Sequence, residues 1–185
     1  MRKVCEVYLV SNSASDERGV ELTFPVSQYE MMDAFEQIHT KSPGDVYWQV
    51  DEFYCFDYIA PHLDESMSIF EFNSLTEQLS KLDERQEIAM EGLLNMAVQK
   101  HMQEHSGIIT VPELMMLASN VEHCHVLADV HSDEALGKFY VENGFRDDLD
   151  ALPDSAYALL DYAKIGKQMR EDESGVFTPH GYVVR

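Results

Sequence analysis

Ser68-Ile69-Phe70-Glu71-Phe72-Asn73-Ser74-Leu75 is the stretch on which the fold turns. Ser68 and Glu71 stand at capping-box spacing, and Ile69, Phe72, Leu75, Leu79 and Leu82 then recur at threes and fours, the stripe of an amphipathic helix. Upstream the hydrophobic period is near two. Val4 to Val10 and Gly19 to Val26 alternate as the strands of a hairpin joined by the polar loop Ser11 to Arg18, and Val46 to Phe56, rich in Val, Trp, Tyr and Phe, suits a third strand. Between them Ser27 and Glu30 repeat the capping-box spacing ahead of a helix over Gln28 to His39.

Downstream, Asp83 can cap a helix carrying Ile88, Leu93, Leu94, Val98 and Met102 that stops at Gly107, and Val111-Pro112 opens another. Beyond Glu122 the element types mix again: a short strand over His125 to Val130, a helix over Ser132 to Asn143 closed by Gly144, a helix over Pro153 to Met169, and an edge strand over Val176 to Val183 interrupted by Pro179. The pattern predicts an α+β protein, elongated, of three small modules: α+β over 1–65, helical over 66–122 and α+β over 123–185.

Composition narrows the function. The 185 residues carry 34 Asp and Glu against 13 Lys and Arg, a formal net charge of −21. With 45% hydrophobic residues, the chain holds too much apolar material to be a charge-solvated disordered acid. So acidic a chain repels nucleic acid and anionic membranes and attracts basic partners or cations. Cys5, Cys55 and Cys124 are odd in number and form no Cys-x-x-Cys pair, which speaks against a disulfide framework and a thiolate zinc site. The opening Met1-Arg2-Lys3 leads into an apolar stretch broken by Glu6, shorter than a secretory signal needs, and no window approaches a membrane span. A soluble, cytoplasmic protein is expected.

Catalytic signals are weak. His101 and His105 lie one helical turn apart, but Glu104 precedes the second His rather than following the first, and neither this pair nor His123-Cys124-His125 with His131 has a third ligand at diagnostic spacing. There is no Gly-x-Ser-x-Gly and no Gly-rich phosphate loop. Trp48, Phe53, Tyr54, Phe56 and Tyr58 read as the core of a small domain. The expectation is a non-enzyme with no metal and no cofactor.

The layout of the acids is more informative. Between Lys41 and Lys81 eight acids fall with no basic residue among them, and six fall likewise between Lys100 and Lys138, so the charge sits on folded elements rather than in a tail. Duplex DNA carries about one charge per 1.7 Å of axis, so the carboxylates match the charge of roughly 58 Å of duplex and the net charge about 36 Å. High-salt adaptation, recognition of a basic protein and plain solubility give the same composition.

Particular residues resemble a known family. The stretch Ser68 to Leu75 resembles the Ser-x-x-Glu-Leu-Asn-x-Leu start of the middle domain of ArdA antirestriction proteins. Leu149, Leu152-Pro153, Leu160-Asp161-Tyr162 and Gly166-Lys167 resemble that family's Leu-Pro, Leu-Asp-Tyr and Gly-Arg pattern, and Asp129 to Asp133 with Phe139 to Gly144 are similar to the opening of its third domain. The resemblance implies an elongated, bent homodimer, joined through its third domain, that imitates B-form DNA and occupies the DNA-binding channel of Type I restriction-modification enzymes. On that reading the acids standing for phosphates are Asp45, Asp51, Glu52, Asp57, Asp64, Glu65, Glu71, Glu77, Asp129, Asp133, Glu134, Asp147, Asp148, Asp150, Asp154 and Asp161, and Tyr157 joins the motif residues at the dimer interface. The competing class is an acidic adaptor that binds a basic host or mobile-element protein without imitating duplex geometry.

Overall fold

The computed structural model describes residues 1–12, 19–40, 42–63, 67–104, 109–146 and 153–185. They belong to two compact units, Met1–Asp83 with His105–Ser119, and Glu84–Glu104 with Asn120–Arg185. Both mix helix and strand, as an α+β chain should. This partition cuts the chain differently from the three-module reading, because helices of the middle segment go to both units.

In the first unit, strands β1 (Cys5–Ser11), β2 (Gly19–Phe24) and β3 (Val46–Phe53) form an antiparallel sheet in the order β2-β1-β3. Alternation sends Cys5, Val7, Leu9 and Ser11 to the buried side. Helix α1 (Gln28–Gln37) opens on the expected capping box, in which the Ser27 hydroxyl accepts from Glu30 N and the Glu30 carboxylate accepts from Ser27 N. Helix α2 (Ile69–Leu79) does the same with Ser68 and Glu71. The next residues fasten α2 to its unit. Phe72 is fully buried and stacks on Trp48 with ring centroids 4.7 Å apart, and Phe24 lies 5.6 Å away on its other contact. Burying such a ring contributes about 2–3 kcal/mol. Asn73 satisfies both backbone groups of Val26, accepting from its N at 2.9 Å and donating to its carbonyl at 3.0 Å. Helix α4 (Val111–Ser119) packs on α2, where the Gln78 amide donates to Met115 O and Ser119 Oγ.

In the second unit, β4 (His125–Leu127), β5 (Val176–Thr178) and β6 (Gly181–Val184) form an antiparallel sheet ordered β4-β6-β5, against which the long helix α3 (Glu84–Glu104) packs. Val130, Leu136 and Tyr182 make a core beneath helix α5 (Asp133–Glu142). The expected edge strand over Val176 to Val183 is a hairpin instead. Thr178 Oγ1 accepts from His180 N and donates to Gly181 O, so Pro179 and His180 form a tight turn where continuous strand was expected.

The expected helix over Pro153 to Met169 is likewise two, a single turn α6 (Asp154–Tyr157) and α7 (Tyr162–Glu173). Asp161 is helix-compatible by residue type, but its carboxylate accepts from Lys164 N at 3.0 Å, the geometry of a helix start. Tyr157, Leu160 and Lys164 therefore do not share one helical face.

Helices α5 and α7 cross backbone to backbone. A Cβ at Gly137 would collide with the Tyr162 carbonyl, and one at Gly166 with the Asp133 carbonyl. Neither obstacle is a flexible side chain. Gly166→Ala should therefore lower the unfolding free energy by about 3 kcal/mol through overpacking, whereas Gly44→Ala, whose added Cβ would meet nothing nearer than Ser42 Oγ at 3.7 Å, should change it by less than about 1 kcal/mol. Urea unfolding of both variants checks this.

Candidate functional site

Elements built on alternating or amphipathic patterns leave one face to water, and here that face is acidic. In the first unit Asp51, Glu52 and Asp57 are exposed, with Glu71 exposed at the start of α2 and Asp45 and Glu77 half-buried. Strand alternation and helix phase add acids that the sequence reading passed over: Glu21 on β2, and Glu30, Asp33 and Glu36 on α1 are exposed, and Glu6 on β1 is half-buried. In the second unit Asp129, Glu134 and Asp161 are exposed and Asp133 is half-buried. Asp154 opens α6. Asp64, Glu65, Asp147, Asp148 and Asp150, with Leu149 and Leu152, lie outside the described residues.

Several of these acids already have local work. Glu71 caps α2, and hydrogen bonds from Ser68 hold its carboxyl below the usual carboxylate range; Glu30 is held low by Ser27 in the same way. Glu134 pairs with Lys138 at 2.6 Å. Asp133 accepts two hydrogen bonds from the Arg170 guanidinium, at 2.8 and 3.1 Å, and these keep its carboxyl low. Asp51, Glu52, Asp57 and Asp129, among the acids expected from sequence, face water, as Glu21, Asp33 and Glu36 do.

The aromatic stretch divides likewise. Phe56 is fully buried and Trp48 stacks on Phe72, as a core reading expects, but Tyr54 is half exposed with its hydroxyl 3.4 Å from Glu6 Oε2.

A half-open cavity of about 530 Å³ in the second unit is lined by Leu127, Phe139, Phe145 and Val184, with Tyr140, Glu173, His125 and Arg185 as its polar groups. Glu173 accepts from the hydroxyls of Tyr140 and Tyr182. Burial, reinforced by that carboxylate, pushes both phenols well above their ordinary value, so they serve as hydrogen-bond donors. Burial, with Cys55 nearby, pushes the Cys5 thiol up to about 12, the opposite of what a nucleophile needs. Among the described residues no group of three His, Cys, Asp or Glu could hold a metal ion, and no helix is long and apolar enough to cross a membrane.

Compared with protein-family models, the chain matches the antirestriction protein (ArdA) model over residues 13–184. The chain belongs to the ArdA family. No curated protein matches it. ArdA proteins are inhibitors rather than enzymes, and membership implies antirestriction activity and interaction with Type I restriction enzymes. The residues that carry the ArdA likeness now have positions. Pro153 precedes α6, Tyr157 ends it, Leu160 and Asp161 connect it to α7, and Tyr162, Gly166 and Lys167 lie on α7, where the Tyr162 hydroxyl donates to the Tyr157 carbonyl at 3.0 Å.

The Asp133–Arg170 pair has a pH signature. A carboxylate whose folded pKa is depressed contributes stability above its unfolded pKa and loses it as pH falls through the folded one. Asp133→Asn should cost about 1 kcal/mol at pH 7, a value limited by the partial exposure of both partners, and the gap to the parent protein should close below pH 4. Thermal melts of both proteins from pH 3 to pH 7 check it.

Proposed function

We propose that this protein inhibits Type I restriction-modification enzymes by presenting its acidic surface to their DNA-binding channel in place of duplex DNA. The observation that carries the reading is the exposure of Asp51 and Glu52 on β3, of Asp57 just beyond it and of Asp129 in the turn after β4, in a chain with 34 acids and 13 bases. Carboxylates on rigid elements keep fixed spacings, as phosphates on a duplex do, and a basic channel supplies the cations that the chain lacks. The inhibitor acts as a homodimer in the cytoplasm and binds protein rather than nucleic acid, which it repels.

Recognition of this kind is spread over many weak contacts. Asp57→Asn alone should change displacement of duplex DNA from a Type I enzyme by no more than about fivefold, since one exposed pair contributes at most about 1 kcal/mol. Neutralising Asp45, Asp51, Glu52, Asp57, Asp64 and Glu65 together should weaken it by two orders of magnitude or more, on the order of half a kcal/mol for each. If one substitution abolishes displacement in a folded protein, or all six leave it unchanged, the protein is an acidic adaptor and not a mimic.

We also propose that the homodimer forms through the last third of the chain, with Leu149, Leu152, Tyr157, Leu160 and Tyr162 in or beside the interface. Leu159, 86% exposed between α6 and α7, is the apolar side chain that such an interface would cover. Two chains of −21 need buried apolar area to stay together, so the interface should exceed roughly 1,000 Å² in total. Sedimentation at micromolar concentration should give a dimer, and Leu159→Asp a monomer.

A further inference from the structure

The open face of the first sheet differs from the rest of the acidic surface because tyrosines are set among its carboxylates. Register places Glu6 between Thr23 on β2 and Glu52 on β3, Tyr8 between Glu21 and Gln49, and Val10 between Gly19 and Tyr47. These residues alternate with the buried Cys5, Val7 and Leu9, so they share the outward face. Tyr47 is 51% and Tyr54 48% exposed. The Tyr8 ring fills the space that a side chain at Gly19 would need, laying an aromatic surface across two strands.

Two features of this face work against the fold. Glu6 and Glu52 are directly opposite on neighbouring strands, a like-charge pair that destabilises a sheet, and the register shift beside Glu6 adds the exposed Asp51 to the same corner. No residue of β1, β2 or β3 is Lys or Arg to offset them. Lys3, just before β1, spends its ammonium on the carbonyls of Thr23 and Pro25, both at 2.9 Å, and the Arg2 guanidinium lies over the Phe56 ring. A cation supplied by a partner would relieve this repulsion.

We propose that the open face of the β2-β1-β3 sheet is a docking surface for arginine side chains of the partner enzyme, with Tyr8, Tyr47 and Tyr54 stacking on guanidinium planes that Glu6, Glu21 and Glu52 pair. The proposal rests on the reading that the partner presents a basic channel, and it names the chemistry of one part of that contact. Charge complementarity selects the occupant. Nucleic acid is repelled, and a second copy of this chain has no Lys or Arg on the same sheet to offer. The tyrosines select arginine over lysine, because a planar, weakly hydrated guanidinium stacks on an aromatic ring and forks onto a carboxylate, whereas an ammonium is a compact, strongly hydrated point charge. Such aromatic and arginine pairs are enriched among the contacts that dominate interfaces, so this face should outweigh its share of the net charge.

Calorimetric titration of the full chain with octa-arginine and octa-lysine peptides tests this, together with the displacement of duplex DNA from a purified Type I enzyme. The double variant Tyr47→Ala and Tyr54→Ala should bind octa-arginine about tenfold more weakly and octa-lysine within about threefold of the parent, and Tyr47→Phe with Tyr54→Phe should keep octa-arginine binding within about threefold. Both tyrosines are solvent-facing, so the Ala variant should fold. If it does not, octa-arginine added to the parent protein should still shift the ring resonances of Tyr47 and Tyr54. Unchanged octa-arginine binding by a folded Ala variant, equal losses for both peptides, or unmoved ring resonances would overturn the proposal. In those cases the parent protein still displaces duplex DNA; failure of that displacement would instead remove the mimicry reading itself.

Discussion

Mutual repulsion among 34 carboxylates, set against 13 Lys and Arg, is the constraint that the rest of this structure accommodates. Among the described residues, several of the few cations are committed within the fold. Arg170 is committed to Asp133 and to the Phe177 ring, Lys138 to Glu134, Lys167 to Glu171 on the same helix, and Lys3 to two carbonyls. Exposed pairs of this kind contribute at most about 1 kcal/mol each, so cohesion has to come from apolar packing and satisfied polar groups within each unit. Phe72 among Trp48 and Phe24, and Tyr182 with Leu136 and Val130, are where it comes from.

The residues that carry the family likeness are, in this light, mostly the ones that hold the scaffold. Ser68 and Glu71 close a capping box, Phe72 and Asn73 fasten α2 to the sheet side of its unit, Asp161 starts α7, and Gly166 permits the α5–α7 crossing. Of the acids best placed to meet a partner, Asp51, Glu52 and Asp57 lie outside those motifs, and Asp129 lies within one. Such a division suits distributed recognition: scaffold positions tolerate few side chains, whereas a carboxylate surface can be redistributed so long as density and rigidity remain.

The two periodicities made much of the fold legible. Both expected capping boxes are present, β1, β2 and β3 fall where alternation put them, and Ser132 starts α5 by accepting from Ala135 N. The errors came where one residue type serves two purposes. Asp161 fits a helix interior by spacing but begins one, and Pro179-His180 reads as an interruption in a strand but makes a hairpin turn. Which unit a helix joins was not legible either, because period reports an element's apolar stripe and not what that stripe packs against. For the candidate site, sequence gave the amount of acid but not its employment. Nothing in composition separates Glu71 and Asp133, which bond within the fold, from Asp51 and Asp57 at the surface, and Tyr54 looked like core until the sheet turned it outward.

The central claim is that a folded carboxylate surface replaces duplex DNA in a basic channel. The most direct measurement is the affinity of the protein for a Type I restriction enzyme across a series of salt concentrations, set beside that of duplex DNA for the same enzyme. Each carboxylate contact releases ions that had screened it, so the logarithm of affinity should fall linearly with the logarithm of salt concentration, with a slope of several units approaching that of the duplex. A slope near zero at comparable affinity would mean that apolar or lock-and-key contacts hold the complex, and would contradict the account.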